Sequence, residues 1–284
     1  MKKQIILSDK LLKMYIQYLR EQERSESTIK SYQRELMSLQ LYLDERPITK
    51  DILLAYKTML TSQYSPCTCN VTISALNSYL KYIGRPDLMI KPLKIQRQIY
   101  EPAEKELTRK EYDKLIRAAN INGQERLSLI MQTICSTGIR VSELQYVTVE
   151  AIKEGKTIAT NKGKSRIVFI PAPLQKLLKK YVVNSNITSG PIFITRSGKP
   201  LDRSNLWKDM KQLCSIAKVN PEKVYPHNLR HLFARTYYTQ YKDLSRLSDI
   251  LGHSNVCTTR IYTKESGAIH AKQIAALGLV QDTT

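Results

Sequence analysis

The chain has 284 residues, a hydrophobic fraction of 42% and a formal net charge of +20. This length suits one large domain or two ordinary ones, and this hydrophobic fraction is sufficient for packed cores. Residues 1–100 contribute a net +7 and residues 101–284 a net +13, which excludes a single basic tail as the source of the charge. A positive surface spread along the chain favours a nucleic acid held from more than one side, with DNA as the foremost candidate.

The cysteines and the apolar segments indicate the cellular compartment. The cysteines show neither a disulfide framework nor a zinc-binding pattern; they are Cys67, Cys69, Cys135, Cys214 and Cys257. Ile5-Ile6-Leu7 is too short for the core of a signal peptide, and no apolar run approaches the roughly 20 residues of a membrane helix. We therefore expect a soluble, cytoplasmic protein with reduced thiols and no membrane association.

Residues 1–85 carry the signals of a small all-α domain. Ser8, Thr49 and Ser65 can each cap a helix that begins an apolar-periodic stretch. The apolar spacing predicts helices over about 9–22, 27–43, 50–62 and 66–83. Lys30 and Arg34 lie four apart on one face of the second helix, where they either contact DNA phosphates or are ordinary solvated charges.

The segment 86–105 predicts an extended basic linker. Pro86, Pro92 and Pro102 disfavour a helix there, and the basic run Lys91–Arg97 lies among these prolines. A basic linker of this kind would let two domains close around a duplex, although a solvated loop is an equally simple interpretation.

Residues 106–267 predict a second domain that mixes helices with a small antiparallel sheet. Thr108 begins a helix that runs through Ala119, with Glu111 at the capping-box position. Further helices are predicted over about 123–137, 173–183, 203–217, 227–240 and 243–251. Three short strands are predicted at Val147–Ile152, Thr157–Thr160 and Ile167–Ile170, joined by glycine-containing turns. The fold class is therefore mostly α with a small β-sheet.

Chemically active side chains concentrate between Pro226 and Tyr262. His227 and Arg230 are three apart, so they share one face of a helix. His253 follows a glycine that can end a helix, and Tyr262 comes nine residues after His253. This set suits a phosphate group, because arginine binds its oxygens, histidine donates or transfers protons, and tyrosine can attack phosphorus.

These motifs resemble the C-terminal signature of the tyrosine recombinases, the family that includes phage integrases and Xer recombinases. The resemblance rests on His-x-x-Arg at 227–230, Leu-Gly-His-Ser at 251–254 and the spacing to Tyr262. It extends to the upstream box Thr137-Gly138-Ile139-Arg140-Val141-Ser142-Glu143-Leu144 and to Lys162-Gly163 in a predicted hairpin turn. A weaker similarity, Thr28-x-x-x-Tyr32-x-x-x-Leu36, extends the match over most of the chain, to about residue 267.

The resemblance implies a two-domain DNA clamp, with a core-DNA-binding domain followed by a catalytic domain. It implies a nucleophile, Tyr262, and a supporting carboxylate, Glu143, that orients the reacting groups. The other implied catalytic side chains are Arg140, Lys162, His227, Arg230 and His253. Lys162 would protonate the departing 5′ oxygen, and Lys164 and Arg166 are its rivals and candidate DNA contacts. We expect the remaining histidine of this helix, His231, to be structural.

The family's reaction implies a 3′-phosphotyrosyl intermediate and strand exchange through a Holliday junction, performed by four protomers on two specific DNA sites. No carboxylate cluster lies near the motifs, so we expect no metal, cofactor or ATP requirement. The early start of the helical domain favours a Xer-like recombinase or a transposon resolvase. The alternatives are an integrase of a phage or mobile element, a type IB topoisomerase, and a non-catalytic DNA-binding protein on the same fold.

The segment 268–284 after the nucleophile predicts a C-terminal helix, because Ile269, Gln273, Ala276 and Val280 fall on one stripe. A short apolar helix is not stable alone and must dock on protein. It docks either on its own domain or, as the resemblance implies, on a neighbouring protomer.

Overall fold

The computed structural model describes residues 5–95, 106–161, 163–195, 197–253, 255–263 and 275–277. Of residues 257 and 261–263 only the backbone is described. The chain divides into two compact units, Met1–Arg97 and Gln98–Thr284, and the division falls inside the predicted linker. We describe each unit separately.

The first unit is built from four α-helices in its described part. They are α1 (Asp9–Glu21), α2 (Glu26–Leu43), α3 (Lys50–Gln63) and α4 (Pro66–Tyr82). Each begins at a serine or threonine whose side chain accepts a hydrogen bond from a backbone N–H of the first turn, as predicted for three of them. One apolar face of each helix is buried in a shared core, whose largest fully buried side chains are Tyr15, Tyr56, Tyr79, Leu19, Leu36, Leu39, Leu43, Leu53, Ile73 and Leu80.

The beginning of the predicted linker packs on this first unit and is not an extended spacer. Pro86–Leu88 forms a short 3-10 helix, and Ile90 is buried. The Asn77 side chain exchanges hydrogen bonds with both backbone groups of Ile90, and Asn70 does the same with Leu93. The side chains of two asparagines of α4 therefore satisfy backbone groups of this segment that would otherwise hydrogen-bond to water.

The second unit contains the remaining helices and the sheet. Its main core lies between α6, α8, α9 and α10, and Ala234, Leu247 and Leu251 form a second, smaller buried cluster. The helices are α5 (Arg109–Ile121), α6 (Glu125–Thr137), α7 (Val149–Glu154), α8 (Ala172–Asn184), α9 (Arg203–Ala217), α10 (Pro226–Tyr241) and α11 (Leu244–Leu251). Shorter 3-10 helices cover Val141–Tyr146, Pro221–Lys223 and Val256–Thr263.

The sheet in the described residues has two antiparallel strands, β1 (Lys156–Asn161) and β2 (Lys164–Phe169), with Ile158 opposite Ile167. The predicted strand at Val147–Ile152 is wrong, because most of this stretch belongs to helix α7. The Thr148 side chain accepts from the Ala151 amide and caps that helix, and Gly155, at φ +76°, ends it. Val149 and Ile152, three residues apart, are both buried, so the apolar run fits a helix as well as a strand.

Within the described ranges we find no helix with the length and apolar character that crossing a bilayer requires. The predicted C-terminal helix over 268–284 lies outside the described residues, apart from 275–277.

Candidate active site

The first arginine of the site is held by the turn that ends α6. Arg140 is the residue before the 3-10 helix Val141–Tyr146, and Glu143 reaches back to it. Glu143 Oε2 accepts from the Arg140 amide at 2.8 Å, and Oε1 accepts from Arg140 Nη1 at 2.9 Å. The Glu143 side chain is 1% exposed and that of Arg140 is 29% exposed. The carboxylate is therefore interior, while the guanidinium it orients still reaches the surface.

Gly138 allows this turn to pack closely against α10 and α11. Its φ is +64°, and a Cβ there would lie 2.6 Å from Phe233 Cδ1 and 3.0 Å from Leu251 Cδ2. Any larger residue would therefore be strained in its backbone and would collide with an aromatic ring. The glycine brings the Arg140 turn next to the two helices that carry the other motifs.

Arg230 lies at the junction of these motifs and is 1% exposed. Its Nη1 donates to the Gly138 carbonyl, and its Nη2 donates to the Leu251 carbonyl at 2.6 Å. The same Nη2 lies 3.2 Å from His253 Nε2. One guanidinium thus joins the turn before Arg140, the end of α11 and the imidazole that follows it.

The hydrogen bonds of His253 define its tautomer. A guanidinium only donates, so Nε2 must accept from Arg230, and the proton of the neutral ring is on Nδ1. Nδ1 then donates to Thr259 Oγ1 at 2.9 Å. Thr259 is fully buried in the 3-10 helix Val256–Thr263, three residues before Tyr262. The backbone of Tyr262 lies in this helix, and its side chain lies outside the described part of the chain.

Two further histidines lie at the start of α10. The rings of His227 and His231 pack edge to face with centroids 4.7 Å apart. Desolvation, together with the positive charges of Arg230 and other neighbours, lowers the pKa of His227, His231 and His253 to about 4 each. His227 is the most exposed of the three. All three rings are therefore neutral at pH 7, and the permanent positive charge of the site comes from arginine and lysine.

The hairpin β1–β2 supplies the opposite side of the site. Arg166 forms a two-pronged ion pair with Glu143, with Nη1–Oε1 at 2.7 Å and Nη2–Oε2 at 2.8 Å, and its side chain is 11% exposed. Burial alone would raise the pKa of Glu143, but the bonds from Arg166 and the Arg140 amide and the two guanidinium charges lower it to about 2. Arg166, predicted as a DNA contact, thus directs its guanidinium into the protein.

Lys164 is exposed at the start of β2, and the predicted catalytic Lys162 lies outside the described residues. A cavity of about 400 Å³ opens between the hairpin and the end of α11. It is lined by Arg140, Asn161, Lys164, Ser165, Arg166, Asp249, Gly252 and His253. The structure therefore places predicted residues from three distant motifs around one space.

Sequence reasoning missed two contributors to this site. Thr259 had a usable signal, because it lies within the motif, between His253 and Tyr262. Arg203, at the start of α9, is close enough to lower the pKa of His227, and no sequence motif marked it.

The two candidate DNA contacts of the first unit lie on the exposed face of α2. Lys30 is exposed, and the Arg34 side chain is 74% exposed and forms an ion pair with Glu35 at 2.6 Å. Such a surface pair contributes little to stability and leaves the cation accessible to other anions.

Comparison with known proteins places this geometry in a family. The Phage integrase family model matches residues 105–268, and the model of the phage integrase N-terminal SAM-like domain matches residues 12–85. Tyrosine recombinase XerA of Pyrococcus furiosus is 29% identical over 279 residues, which cover 94% of this chain and 93% of that protein. Tyrosine recombinase XerD of Xanthomonas campestris pv. campestris is 28% identical over 273 residues, 86% of this chain and 83% of the relative.

Solved structures share the fold. The XerH site-specific recombinase bound to difH substrate matches with a TM-score of 0.71 and 21% identity, over 95% of this chain and 84% of the other. A lambda integrase dimer bound to a COC′ core site matches with a TM-score of 0.72 and 18% identity, over 93% of this chain and 79% of the integrase chain. Because the integrase family model covers residues 105–268, more than half of the sequence, this chain belongs to the phage integrase family of tyrosine recombinases.

Proposed function

We propose that this chain is a site-specific DNA recombinase that breaks and rejoins DNA through a covalent bond to Tyr262. The observation that carries the proposal is the meeting of three motifs: Arg140 and His253 line one cavity, and Arg230 bonds His253 from the core beneath. The partner is double-stranded DNA with a specific core site, which the net charge of +20 and the family membership both support.

In the cleavage step the Tyr262 phenol oxygen attacks the scissile phosphorus. A phosphorus–oxygen bond to tyrosine forms as the bond to the 5′ oxygen breaks, which leaves a 3′-phosphotyrosyl link and a 5′ hydroxyl. The phenol loses a proton and the departing oxygen gains one, so the step is balanced without a redox partner or ATP. Lys162 is our candidate for the acid that protonates the departing oxygen.

The arginines stabilise the negative charge that develops on the phosphate. Arg140 is the member of the set whose guanidinium is partly exposed, so it is suited to bind a phosphate oxygen directly. The neutral histidines contribute hydrogen bonds, and a bound phosphate would raise their pKa because a nearby anion favours the imidazolium. Protonated His253 would carry an Nε2 proton that it could donate to the phosphate, in place of the bond that Nε2 accepts from Arg230.

Rejoining reverses the first step, with the 5′ hydroxyl of a partner strand as the attacking group. Two such exchanges pass through a Holliday junction and require four active sites, so the working assembly is a homotetramer on two DNA sites. The curated relatives named XerA and XerD favour a Xer-like role over that of a phage integrase. We place this activity in the cytoplasm, on the strength of the likeness to the Xer recombinases.

The test is covalent capture on a nicked suicide substrate that carries the core site. Wild-type protein should form a covalent complex, and Tyr262→Phe should bind the same DNA without forming one. Tyr241→Phe, at an exposed tyrosine of α10, is the matched control and should react normally. A normal yield from Tyr262→Phe would refute the assignment of the nucleophile, and no yield from wild-type protein would favour a non-catalytic DNA-binding protein.

Sequence dependence separates the recombinase from a topoisomerase with the same chemistry. A recombinase should leave a supercoiled plasmid without the core site unchanged and recombine one that carries two sites. Efficient relaxation of the plasmid without a site would instead indicate a type IB topoisomerase.

A further inference from the structure

The Arg166 side chain lines the cavity, and all the hydrogen bonds described for its guanidinium are to protein acceptors. In the hairpin Arg166 is paired with the fully buried Ala159, so its side chain points to the inner face. Two of its nitrogens bind both oxygens of Glu143, and Nε donates to the Ile250 carbonyl at 3.0 Å. Each of its three nitrogens thus has a protein acceptor, which is unlike a cation held ready for a phosphate.

The charge of the cluster depends on Arg166. Without Arg166, Glu143 and Arg140 would form a pair with no net charge. The negative charge of the buried carboxylate would then weaken the attraction of Arg140 for the phosphate. Addition of Arg166 gives the three side chains a net charge of +1, and Arg140 is the most exposed of them, at 29% against 11% and 1%. Arg166 therefore neutralises the Glu143 carboxylate, so the positive charge of Arg140 remains available to a phosphate in the cavity.

Arg166 also fixes geometry on two sides of the cavity. Its fork sets the plane of the Glu143 carboxylate, which in turn holds both the amide and the Nη1 of Arg140. On the other side, a Cβ at Gly252 would lie 2.7 Å from Arg166 Cδ. The Arg166 side chain thus packs against Gly252, the residue before His253, and its Nε donates to the Ile250 carbonyl near the end of α11.

We infer that Arg166 is a positioning residue of the DNA-cleaving site, which acts through Glu143 to set the orientation and effective charge of Arg140. The inference rests on the proposed function, because it concerns the same cleavage reaction. It assigns Arg166 no contact with DNA.

The test compares single-turnover formation of the covalent complex in four variants: Arg166→Met, Arg166→Lys, Glu143→Gln and the double variant Arg166→Met/Glu143→Gln. Arg166→Met should lower the cleavage rate roughly 10–100-fold, below the full cost of losing a direct phosphate donor. Arg166→Lys keeps the charge without the fork and should recover part of that loss. Binding of the core site, measured by gel shift, should change less than about threefold in each.

The double variant distinguishes positioning from direct contact. Once Glu143→Gln has removed the buried charge, loss of Arg166 should cost less than about threefold further, because the two residues act as one unit. Arg109→Met, at an exposed ion pair with Asp113 on α5, is the matched control for loss of an arginine and should stay within about twofold of wild type.

Three results would overturn the inference. Arg166→Met that cleaves within about twofold of wild type would show that Arg166 does not matter to the reaction. If the fold reductions in cleavage rate of the two single variants multiply in the double variant, Arg166 acts on DNA directly. A loss of site binding that parallels the loss of cleavage would show the same. If Arg166→Met does not fold in a thermal melt, Arg166→Lys with and without Glu143→Gln makes the same comparison.

Failure of the proposed function gives a different pattern. Wild-type protein would then form no covalent complex at all, and this inference would fall with it. Normal reaction by both wild type and Arg166→Met would contradict only the role of Arg166.

Discussion

Replacement of Arg140 and of Arg230 by alanine should damage the protein in different ways. Arg230 is 1% exposed and donates to the carbonyls of Gly138 and Leu251. A hydrogen bond from a charged group is worth about 1.5–3 kcal/mol, so two correspond to about 3–6 kcal/mol of unfolding free energy. In a domain of this size one kcal/mol moves Tm by about 2–4 °C, so Arg230→Ala should lower Tm by about 6–24 °C.

Arg140→Ala should be much less destabilising. Its side chain is 29% exposed, and Glu143 keeps both bonds to Arg166 when Arg140 is shortened. We expect a loss below about 1.5 kcal/mol after allowance for solvent screening, or a decrease in Tm below about 6 °C. Both variants should nevertheless cleave DNA slower by about 10²–10³-fold, because Arg140 is suited to donate to the phosphate and Arg230 holds His253 and the turn before Arg140 in place.

The assay pairs differential scanning calorimetry with single-turnover cleavage of a suicide substrate, at a temperature where both variants are folded. Arg230→Ala that melts within about 2 °C of wild type would refute the structural part of this reasoning. Arg140→Ala that cleaves within a few-fold of wild type would refute the catalytic part. Arg109→Met serves as the control in both measurements, because its ion pair lies on the surface.

Three further predictions concern metal, pH and the C-terminal tail. Cleavage should persist in EDTA, and restoration of an EDTA-inhibited reaction by magnesium with DNA binding unchanged would contradict this. Thermal stability should fall as pH decreases from about 6.5 to about 4. In this range His231 and His253 are protonated in the unfolded chain but stay neutral in the folded protein, so protons favour unfolding. A constant Tm over that pH range would refute the prediction. Ending the chain at Ser266 should preserve binding to a half-site but sharply reduce cooperative binding of a second protomer in gel-shift titrations, together with recombination. Unchanged cooperativity and full recombination would show that the tail does not join protomers.

Helix positions were largely readable from the sequence because capping residues and apolar spacing agree with each other. The exception, α7, is only six residues long, and over so short a run buried residues such as Val149 and Ile152 fit either period. The Thr148 cap was the sign of a helix there, and it outweighs the β-branched composition.

Which motif residues line the cavity and which lie beneath it could not be predicted from their order. Arg166 meets Glu143 across 23 residues, and spacing along the chain does not show such a contact. The alternation of side chains along a strand does predict that Arg166 faces inward, because Arg166 lies on the same side of β2 as the buried Val168. The burial of Arg230 had no local signal, because its partners are carbonyl groups of distant turns.

The position of Arg230 has a consequence for how a lineage of such proteins would decay. A descendant released from selection for recombination could lose Arg140 and still fold, because Glu143 keeps both of its bonds to Arg166. Loss of Arg230 would remove the link between the Gly138 and Leu251 turns, so drift should retain it after the chemistry has gone. In degenerate relatives, a retained arginine at this position would therefore report an intact fold, and a retained Tyr262 with Arg140 would report an active enzyme.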